Sequence, residues 1–483
     1  MNAEILMNIT PTETRVAVVE NGVLQEIFIE RTNHRGLVGN IYKGRVARVL
    51  PGMQAAFVDI GLERAAFIHA AELGHPDSST PINQILHEGQ SLVVQVTKDP
   101  IGTKGARLTT QLTIPSRYLV YMPGAEHVGV SQRIDDEGER DRLKKLVTSC
   151  MEREGLCGEA GFILRTAAEG VGEDEILADT RYLRRLWRKL EERIAEFTPP
   201  RIIYDELPLP LRSLRDYARP EVEKILIDSR ETYDKIVGFT QQYVPEVEER
   251  LGYYAGPRPI FELYSVEDEI QKALERKVQL KSGGYLVIDQ TEAMTTIDVN
   301  TGGFVGRRNL EETIYKTNLE AATAIGRQLR LRNLGGIIIL DFIDMMDPEH
   351  QRQVLRMLEK VLEKDHAKTK ISGVSELGLV EMTRKRTRES LEQMLMEPCR
   401  ACGGRGSVKT AETICYEIFR EILREDRAYG AGNYLVLASQ PVVDRLLDED
   451  SNGLADLEAF IGKTIKLQVE ALYTQDYYDI ILQ

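Results

Sequence analysis

The spacing of apolar residues changes several times along the chain, which predicts several folding units. Residues 14–19 and 24–29 alternate apolar and polar positions, and this period of two predicts two or three short strands within residues 1–37. Beyond Gly39, glycine-rich turns separate five further short strands, a pattern typical of a small Greek-key barrel of the OB-fold class. These five strands are expected at residues 40–50, 55–60, 65–68, 91–97 and 106–112.

Helical and strand periods alternate in the rest of the chain, which predicts mixed α/β units followed by a small α+β unit at 410–483. The run Ile-Ile-Ile-Leu at 337–340 predicts a fully buried strand. At 483 residues, the chain is longer than one hydrophobic core supports. We expect helices at 139–154, 179–196, 266–278, 310–332 and 348–363, and strands at 161–165, 285–289, 294–300 and 336–341.

Composition is that of an ordinary globular protein, with an acidic balance of 62 Lys and Arg against 76 Asp and Glu. A formal charge of −14 argues mildly against a nucleic-acid partner, although local basic runs can oppose it. Two such runs lie at 181–189 and 384–388, and the first is best explained as a solvated helix face. We expect a cytoplasmic protein without a membrane span, because no long apolar stretch and no basic, apolar leader is present.

Three polar residues follow strand patterns that could bring them together. Asp298 and Asn300 are two residues apart in a strand and therefore share one face, whereas Asp341 ends the apolar strand at 336–341. If these strands are neighbours, Asp298 and Asp341 converge on a site suited to Mg²⁺. The alternative is that both aspartates cap a turn or a helix start. Asp344 and Asp347 are competing candidates, and spacing alone does not decide between these possibilities.

The segments 283–300 and 333–345 resemble the catalytic signature of the ribonuclease E/G family, and the resemblance extends over the whole chain. It implies that Asp298 and Asp341 bind a catalytic Mg²⁺ and that Asn300 supports the site. Metal-activated water would leave a 5′-phosphate and a 3′-hydroxyl. The seven histidines suggest no acid–base pair of the kind that a cyclic-phosphate mechanism requires.

The resemblance also implies a multidomain α/β plus α+β architecture with named subdomains. They are an RNase H-like subdomain (1–37 and 211–273), an S1 barrel (38–119), a 5′-sensor (120–210), a DNase I-like catalytic subdomain (274–394), a zinc link (395–409) and a small dimerisation domain (410–483).

Two RNA contacts are implied by the family resemblance. The segments 39–46, 55–61 and 65–69 are similar to an S1 RNA-binding domain, with Phe57 and Phe67 as stacking positions and Lys104 as a backbone contact. The pattern alone would favour a core position for each phenylalanine. The segment 161–168 resembles the family's 5′-sensor, in which Arg165 and Thr166 would hold a terminal monophosphate.

Of the five cysteines, only Cys399 and Cys402 have metal-ligand spacing. One Cys-x-x-Cys supplies two thiolates, whereas structural zinc needs four ligands, so two chains together would complete a site. A redox pair is the alternative. In the family such a zinc link forms the principal homodimer, which in turn can form a tetramer. The family's usual Cys-Pro-x-Cys is here Cys-Arg-Ala-Cys, with both ligands retained.

Within the family, the sequence is most similar to the branch that lacks a long disordered C-terminal extension. The resemblance implies an endoribonuclease that cuts A/U-rich single strands, stimulated by 5′-monophosphate ends, in maturation of the 16S ribosomal RNA 5′ end and in messenger decay. Glu376 stands where the extended branch has a backbone-contacting arginine, which puts RNA contact there in doubt. The alternatives are a non-catalytic S1-type RNA-binding protein and a fragment of a longer family member.

Overall fold

In the computed structural model, the polypeptide divides into two units, Met1–Glu392 and Gln393–Gln483. The structure describes residues 2–74, 80–100, 105–219, 221–303, 310–386, 388–430 and 432–483, and every count of strands and helices below refers to these residues. The architecture is mixed α/β. No helix among the described residues is long and apolar enough to cross a membrane.

The N-terminal strands share a five-stranded mixed sheet with strands that follow some 200 residues later. Ala3–Ile9 pairs antiparallel with Glu13–Glu20 and parallel with Val222–Ile227. Apolar residues of this sheet pack with helical residues such as Leu214 and Ile236 into one core. The sheet order is Leu251–Tyr253, Val222–Ile227, Ala3–Ile9, Glu13–Glu20 and Val23–Arg31, and the nearby helices are Leu209–Tyr217, Arg230–Tyr243, Ile260–Leu263 and Val266–Leu274.

Residues 41–109 form a closed five-stranded barrel of the OB type, as the sequence predicted. The barrel closes because Ile41–Leu50 pairs both with the strand that follows it and with Ser91–Lys98. Gly44 is required at this closure, since a Cβ there would lie 2.7 Å from Val58 Cγ1. The barrel strands are Ile41–Leu50, Ala55–Asp59, Ala66–His69, Ser91–Lys98 and Arg107–Thr109; Arg201–Tyr204 pairs with the first, and a short helix spans Ile82–Ile85.

Residues 114–196 form a four-stranded sheet with two long helices. The helix Glu137–Glu154 begins at an Asp136 N-cap and ends at Gly155 in the left-handed conformation. The helix Glu173–Glu196 buries Leu183 and Leu190 in the same core as Phe162 of the sheet. The strands are Ile114–Pro115, Leu119–Pro123, Val128–Val130 and Ala160–Leu164.

A six-stranded sheet, which we call the open sheet, follows in residues 277–384. Two helices pack against one of its faces, where Ile297, Ile338 and Leu340 join the core. The strand Gly336–Asp341 was expected to be fully buried, and this prediction is wrong: Ile337 is 48% exposed, because the helices cover only one face. The order is Lys277–Gln279, Tyr285–Gln290, Met294–Asn300, Gly336–Asp341, Val380–Arg384 and Thr369–Val374; the helices are Leu310–Leu331 and Pro348–Leu362.

The second unit is a small α+β fold, as the sequence predicted. Its central strand, Tyr434–Ala438, pairs parallel with Ile465–Val469 and antiparallel with Tyr478–Leu482. The three helices of this unit bury Ile414, Ile418 and Leu446 in the core. These helices are Ala411–Tyr429, Gln440–Leu447 and Ser451–Ile461, and the short helix Leu391–Leu395 lies at the sequence boundary between the units.

Candidate active site

Two aspartates lie side by side on the uncovered face of the open sheet. The strand Met294–Asn300 pairs parallel with Gly336–Asp341, and the register places Asp298 directly beside Asp341. Their flanking residues, such as Ile297 and Leu340, point to the buried face, so both carboxylates point to the open one. Both aspartates are exposed. Parallel strands that end together therefore present two acidic groups at one edge of the sheet, where α/β sheets place their sites.

Asn300 lies on the same face, two residues beyond Asp298. Its Nδ2 donates a hydrogen bond of 2.7 Å to Asp298 Oδ2. A carboxamide donor in this position restrains the carboxylate and leaves Oδ1 of Asp298 for another partner. Among the described residues, which include 301–303 of the following turn, the hydrogen bond to the Asp298 carboxylate comes from Asn300.

The electrostatics of the pair follow from its geometry. The pKa of Asp341 is raised above its ordinary value, first by desolvation and then by the negative charges of Asp298 and Asp344. Three carboxylates near one another thus repel at neutral pH. A divalent cation would offset this repulsion, and Mg²⁺ accepts one or two protein carboxylates together with water and phosphate oxygens. The residues present fit such an ion.

The two competing candidates, Asp344 and Asp347, have different surroundings. Asp347 caps the helix Pro348–Leu362, since its carboxylate accepts a 2.8 Å hydrogen bond from Glu349 N. Asp344 is exposed, and its Oδ1 lies 4.0 Å from where a Cβ on Gly378 would stand. Of these two candidates, Asp344 is the one whose negative charge raises the pKa of Asp341.

Asn318, which no sequence pattern singled out, holds the backbone just beyond Asp341. It is fully buried in the helix Leu310–Leu331, donates 2.7 Å to the Ile343 carbonyl and accepts 3.1 Å from Ile343 N. One carboxamide thus holds both backbone groups of Ile343, the residue that immediately precedes Asp344. A buried asparagine at an apolar position of a helix is the sequence signal for such a role.

Phe57 and Phe67 lie next to each other on the outer surface of the barrel. They are register partners on adjacent strands, with ring centroids 6.1 Å apart and planes at 69°. Their strand neighbours Ala56, Val58 and Ile68 fill the barrel core, whereas both phenylalanines are half-buried. The two rings are thus outside the barrel core, contrary to what the pattern alone would favour. Lys104 lies outside the described residues.

Cations flank this aromatic pair on both sides. Cross-strand pairing places Arg48 beside Phe57, and Arg107 beside Phe67. Lys98 is the register partner of Arg107, so one row crosses all five barrel strands. Arg48 and Lys98 were missed from sequence because only barrel closure brings them into this row. Lys43, on the first barrel strand, lies outside this row, and its Nζ donates a 2.6 Å hydrogen bond to the Ile194 carbonyl.

Arg165 and Thr166 lie at the end of the strand Ala160–Leu164. The guanidinium of Arg165 donates 2.6 Å to the Ser116 carbonyl and 2.7 Å to Asp216 Oδ1. The hydroxyl of Thr166 lies 3.2 Å from that of Ser131. These hydrogen bonds hold the guanidinium of Arg165 in a fixed orientation. The side chain is about one quarter exposed, so it remains accessible to solvent.

Cys399 and Cys402 lie close together in the second unit. Cys402 Sγ accepts a 3.3 Å hydrogen bond from Gly406 N, and backbone donors of this kind, with the Cys399 thiol, lower the pKa of Cys402. Lowered thiol pKa values suit metal ligands. In the described part of the chain, no group of three or more His, Cys, Asp or Glu side chains is arranged to hold a metal ion.

Comparison with known proteins decides the family. The family model described as "Ribonuclease E/G family" matches residues 113–387. The chain belongs to the ribonuclease E/G family. Ribonuclease G of Escherichia coli (strain K12) is 57% identical over 493 aligned residues, with 100% of both chains covered. Ribonuclease G of Haemophilus influenzae is 54% identical, with 99% of both covered. Ribonuclease E of Escherichia coli (strain K12) is 35% identical, covering 94% of this chain but 43% of that protein.

The similarity of this ribonuclease E/G family member to ribonuclease G confirms the branch expected from the sequence. The structure brings Asp298, Asn300 and Asp341 together on one face and Phe57 with Phe67 on another. Arg165 and Thr166 form a separate cluster.

Proposed function

We propose that the protein is an endoribonuclease that hydrolyses single-stranded RNA at a Mg²⁺ ion held by Asp298 and Asp341. Similarity over the full length to ribonuclease G supports the activity, with RNA as the substrate. The observation that carries the metal site is the strand register, which makes the two aspartates neighbours although 43 residues separate them in sequence (341 minus 298). In this proposal residues 274–394 are the DNase I-like catalytic subdomain.

Each protein group has a defined task in the proposed reaction. When bound, Mg²⁺ would lower the pKa of a water molecule and neutralise charge on the leaving oxygen. Asp298 and Asp341 hold the ion, and Asn300 orients Asp298 through its 2.7 Å hydrogen bond. Asn318 fixes the backbone behind Asp341. Attack by water leaves a 5′-phosphate and a 3′-hydroxyl.

The barrel surface supports selection of single strands. Exposed aromatic faces stack on unpaired bases, and flanking cations follow the phosphate backbone. The row of Arg48, Phe57, Phe67 and Arg107 supplies both kinds of group. Duplex RNA hides its base faces, so this S1-type surface, residues 38–119, would prefer unpaired segments. A preference for A/U-rich sequence is what the family resemblance implies.

Arg165 and Thr166 are proposed to bind a 5′-monophosphate in a 5′-sensor formed by residues 120–210. A guanidinium has five N–H donors, and hydrogen bonds to the Ser116 carbonyl and Asp216 orient it without using all of them. The neighbouring hydroxyls of Thr166 and Ser131 add further donors. A cluster of this size would accept one phosphate more readily than a triphosphate.

The remaining assignments are also proposals. Cys399 and Cys402 would share a structural Zn²⁺ with a second chain in a homodimer, which could pair further into a tetramer, with 395–409 as the zinc link and 410–483 as the dimerisation domain. Residues 1–37 and 211–273 would form the RNase H-like subdomain. The expected setting is the cytoplasm, in maturation of 16S ribosomal RNA and in messenger decay. Glu376 lies in the exposed turn that contains Gly378, near Asp344, where it would weaken RNA contact.

The test compares Asp298→Asn and Asp341→Asn with wild type on a single-stranded oligonucleotide bearing a 5′-hydroxyl, monophosphate or triphosphate. Both variants should lose cleavage while retaining RNA binding, and wild type should require magnesium and prefer the monophosphate. Asp289→Asn is the matched control, because this carboxylate on the neighbouring strand pairs with Arg276 instead. Wild type that binds RNA but never cuts it would instead establish a non-catalytic RNA-binding protein.

A further inference from the structure

Four arginines form a stripe on the outer face of the helix Glu173–Glu196. Arg181, Arg184, Arg185 and Arg188 are spaced i, i+3, i+4 and i+7, so they project from one side of the helix over about 10 Å. With Glu154 they line a groove of about 360 Å³. We call these four residues the arginine stripe.

The charge of this stripe is only partly balanced. Among the described residues, Glu154 is the one carboxylate within ion-pairing distance of the stripe, at 2.7 Å from Arg181 and 3.0 Å from Arg184, and Glu191 and Glu192 follow one turn later on the same helix. Within the described ranges, Arg185 and Arg188 form no hydrogen bond or ion pair, although both are exposed. A positive patch of this kind creates a local potential that attracts anionic partners, even on a chain of formal charge −14.

We propose that the arginine stripe binds the phosphate backbone of the RNA substrate, away from the bond that is cut. This proposal rests on the proposed function for the identity of the ligand. Guanidinium groups match phosphate oxygens in a two-pronged geometry, and arginine is preferred where phosphate is recognised. Contacts to phosphate carry no base information, so the stripe would strengthen RNA binding regardless of sequence.

Two other partners fit the stripe less well. A membrane-binding helix inserts its apolar face, but here Leu183 and Leu190 of that face are buried and Trp187 is packed against the protein core. A protein interface would need an apolar centre, and residues 181–189 contribute none of the exposed large hydrophobic side chains found among the described residues. The binding surface is therefore polar and cationic, as RNA phosphate requires.

The location of the stripe suits a role in substrate binding. Its helix also carries Asp179, whose carboxylate accepts hydrogen bonds from Tyr118 N and from the Ser116 hydroxyl. The Ser116 carbonyl in turn accepts from Arg165. The arginine stripe therefore belongs to the same subdomain as the proposed 5′-phosphate residues, and it would contact further nucleotides of the same or a folded RNA.

The test measures binding of poly(U) RNA over a series of salt concentrations, without magnesium so that the RNA stays intact. Arg185→Gln combined with Arg188→Gln should reduce the slope of log K against log salt by about 1.4, because each lost phosphate contact on a single strand is worth about 0.7. Binding at about 0.1 M salt should weaken roughly ten-fold or more. With magnesium, KM should rise while kcat at saturating RNA is unchanged.

The matched control is Arg356→Gln combined with Lys360→Gln, an equal loss of charge at two exposed i, i+4 positions of the helix Pro348–Leu362. An unchanged slope in the stripe variant, or an equal decrease in the control, would overturn the proposal. So would stripe-dependent binding to phosphatidylglycerol vesicles with no effect on RNA. If the salt slope differs between wild type and the stripe variant but wild type cuts no RNA, the proposed function is wrong and the RNA-binding role of the stripe is supported. If wild type cuts RNA but the two slopes are equal, the proposed function is supported and the role of the stripe is wrong.

Discussion

At the scale of single residues, Asp341 shows how clustered carboxylates lower the stability of the folded protein. Desolvation and the charges of Asp298 and Asp344 raise the pKa of Asp341 in the folded protein. At pH values between the ordinary aspartate pKa and this raised pKa, the folded state binds more protons than the unfolded state. Lowering the pH through this range therefore protonates Asp341 and removes the repulsion. At neutral pH the repulsion is fully present and lowers stability.

We therefore expect Asp341→Asn to unfold at slightly higher temperature than wild type at neutral pH in the absence of metal. The gain should be about 0.5 kcal/mol or less, because solvent screens exposed charges. It should shrink as the pH falls through the raised pKa of Asp341, and added magnesium should stabilise wild type only. Thermal unfolding with and without magnesium provides the measurement; a variant less stable than wild type at neutral pH would show that the repulsion is not there.

Asn318 holds the backbone that follows the strand Gly336–Asp341. In Asn318→Leu, the N–H and C=O of Ile343 lose their partners in a buried setting, at a cost of about 1–3 kcal/mol. We expect lower kcat and a higher magnesium concentration for half-maximal cleavage. Urea unfolding and magnesium titrations measure the two effects. The control Thr323→Ala changes an exposed hydroxyl of the same helix; a stability loss in Asn318→Leu with unaltered magnesium dependence would reduce Asn318 to a purely structural role.

At the scale of elements, periodicity predicted most strands and helices, but pairing could not be read from it. The strand 336–341 was predicted with its observed bounds, whereas its burial was not, because only the tertiary structure shows that one face lacks a helical cover. The hairpin of Thr369–Val374 and Val380–Arg384 was missed although burial alternates along both strands, because only Ile371 and Val374 are apolar in the first of them. The pairing of Arg165 with Asp216 likewise joins residues 51 apart.

The role of Asp347 as a helix N-cap distinguishes it from Asp298 and Asp341, the proposed metal ligands. The carboxylate of Asp347 accepts from Glu349 N at the start of Pro348–Leu362. Serine is an equally good N-cap, so Asp347→Ser should retain both stability and cleavage, whereas Asp347→Ala should cost about 1 kcal/mol. Unfolding curves and cleavage rates of the two variants are the measurements. Loss of cleavage in Asp347→Ser, with stability intact, would make Asp347 a ligand rather than a cap.

At the scale of the whole molecule, the acidic chain carries two local clusters of cationic groups. The barrel row contains Arg48, Lys98 and Arg107, and the arginine stripe adds four more. Net charge, which argued mildly against a nucleic-acid partner, therefore says little about the binding surfaces. The run at 181–189 is visible in the sequence, whereas the barrel row is not, because only folding brings its residues together from distant strands.

The proposed zinc link predicts a definite ratio of metal ions to protein chains. A four-thiolate site shared by two chains requires one Zn²⁺ for every two chains, since each supplies only Cys399 and Cys402. We expect Cys402→Ser to lose zinc and to become monomeric, as measured by metal analysis and sedimentation. Cys157→Ser is the matched control, because this exposed thiol lies in the other unit. One zinc per chain in a monomer would mean that a single chain completes the site, and a zinc-free dimer would mean that other surfaces hold the subunits together.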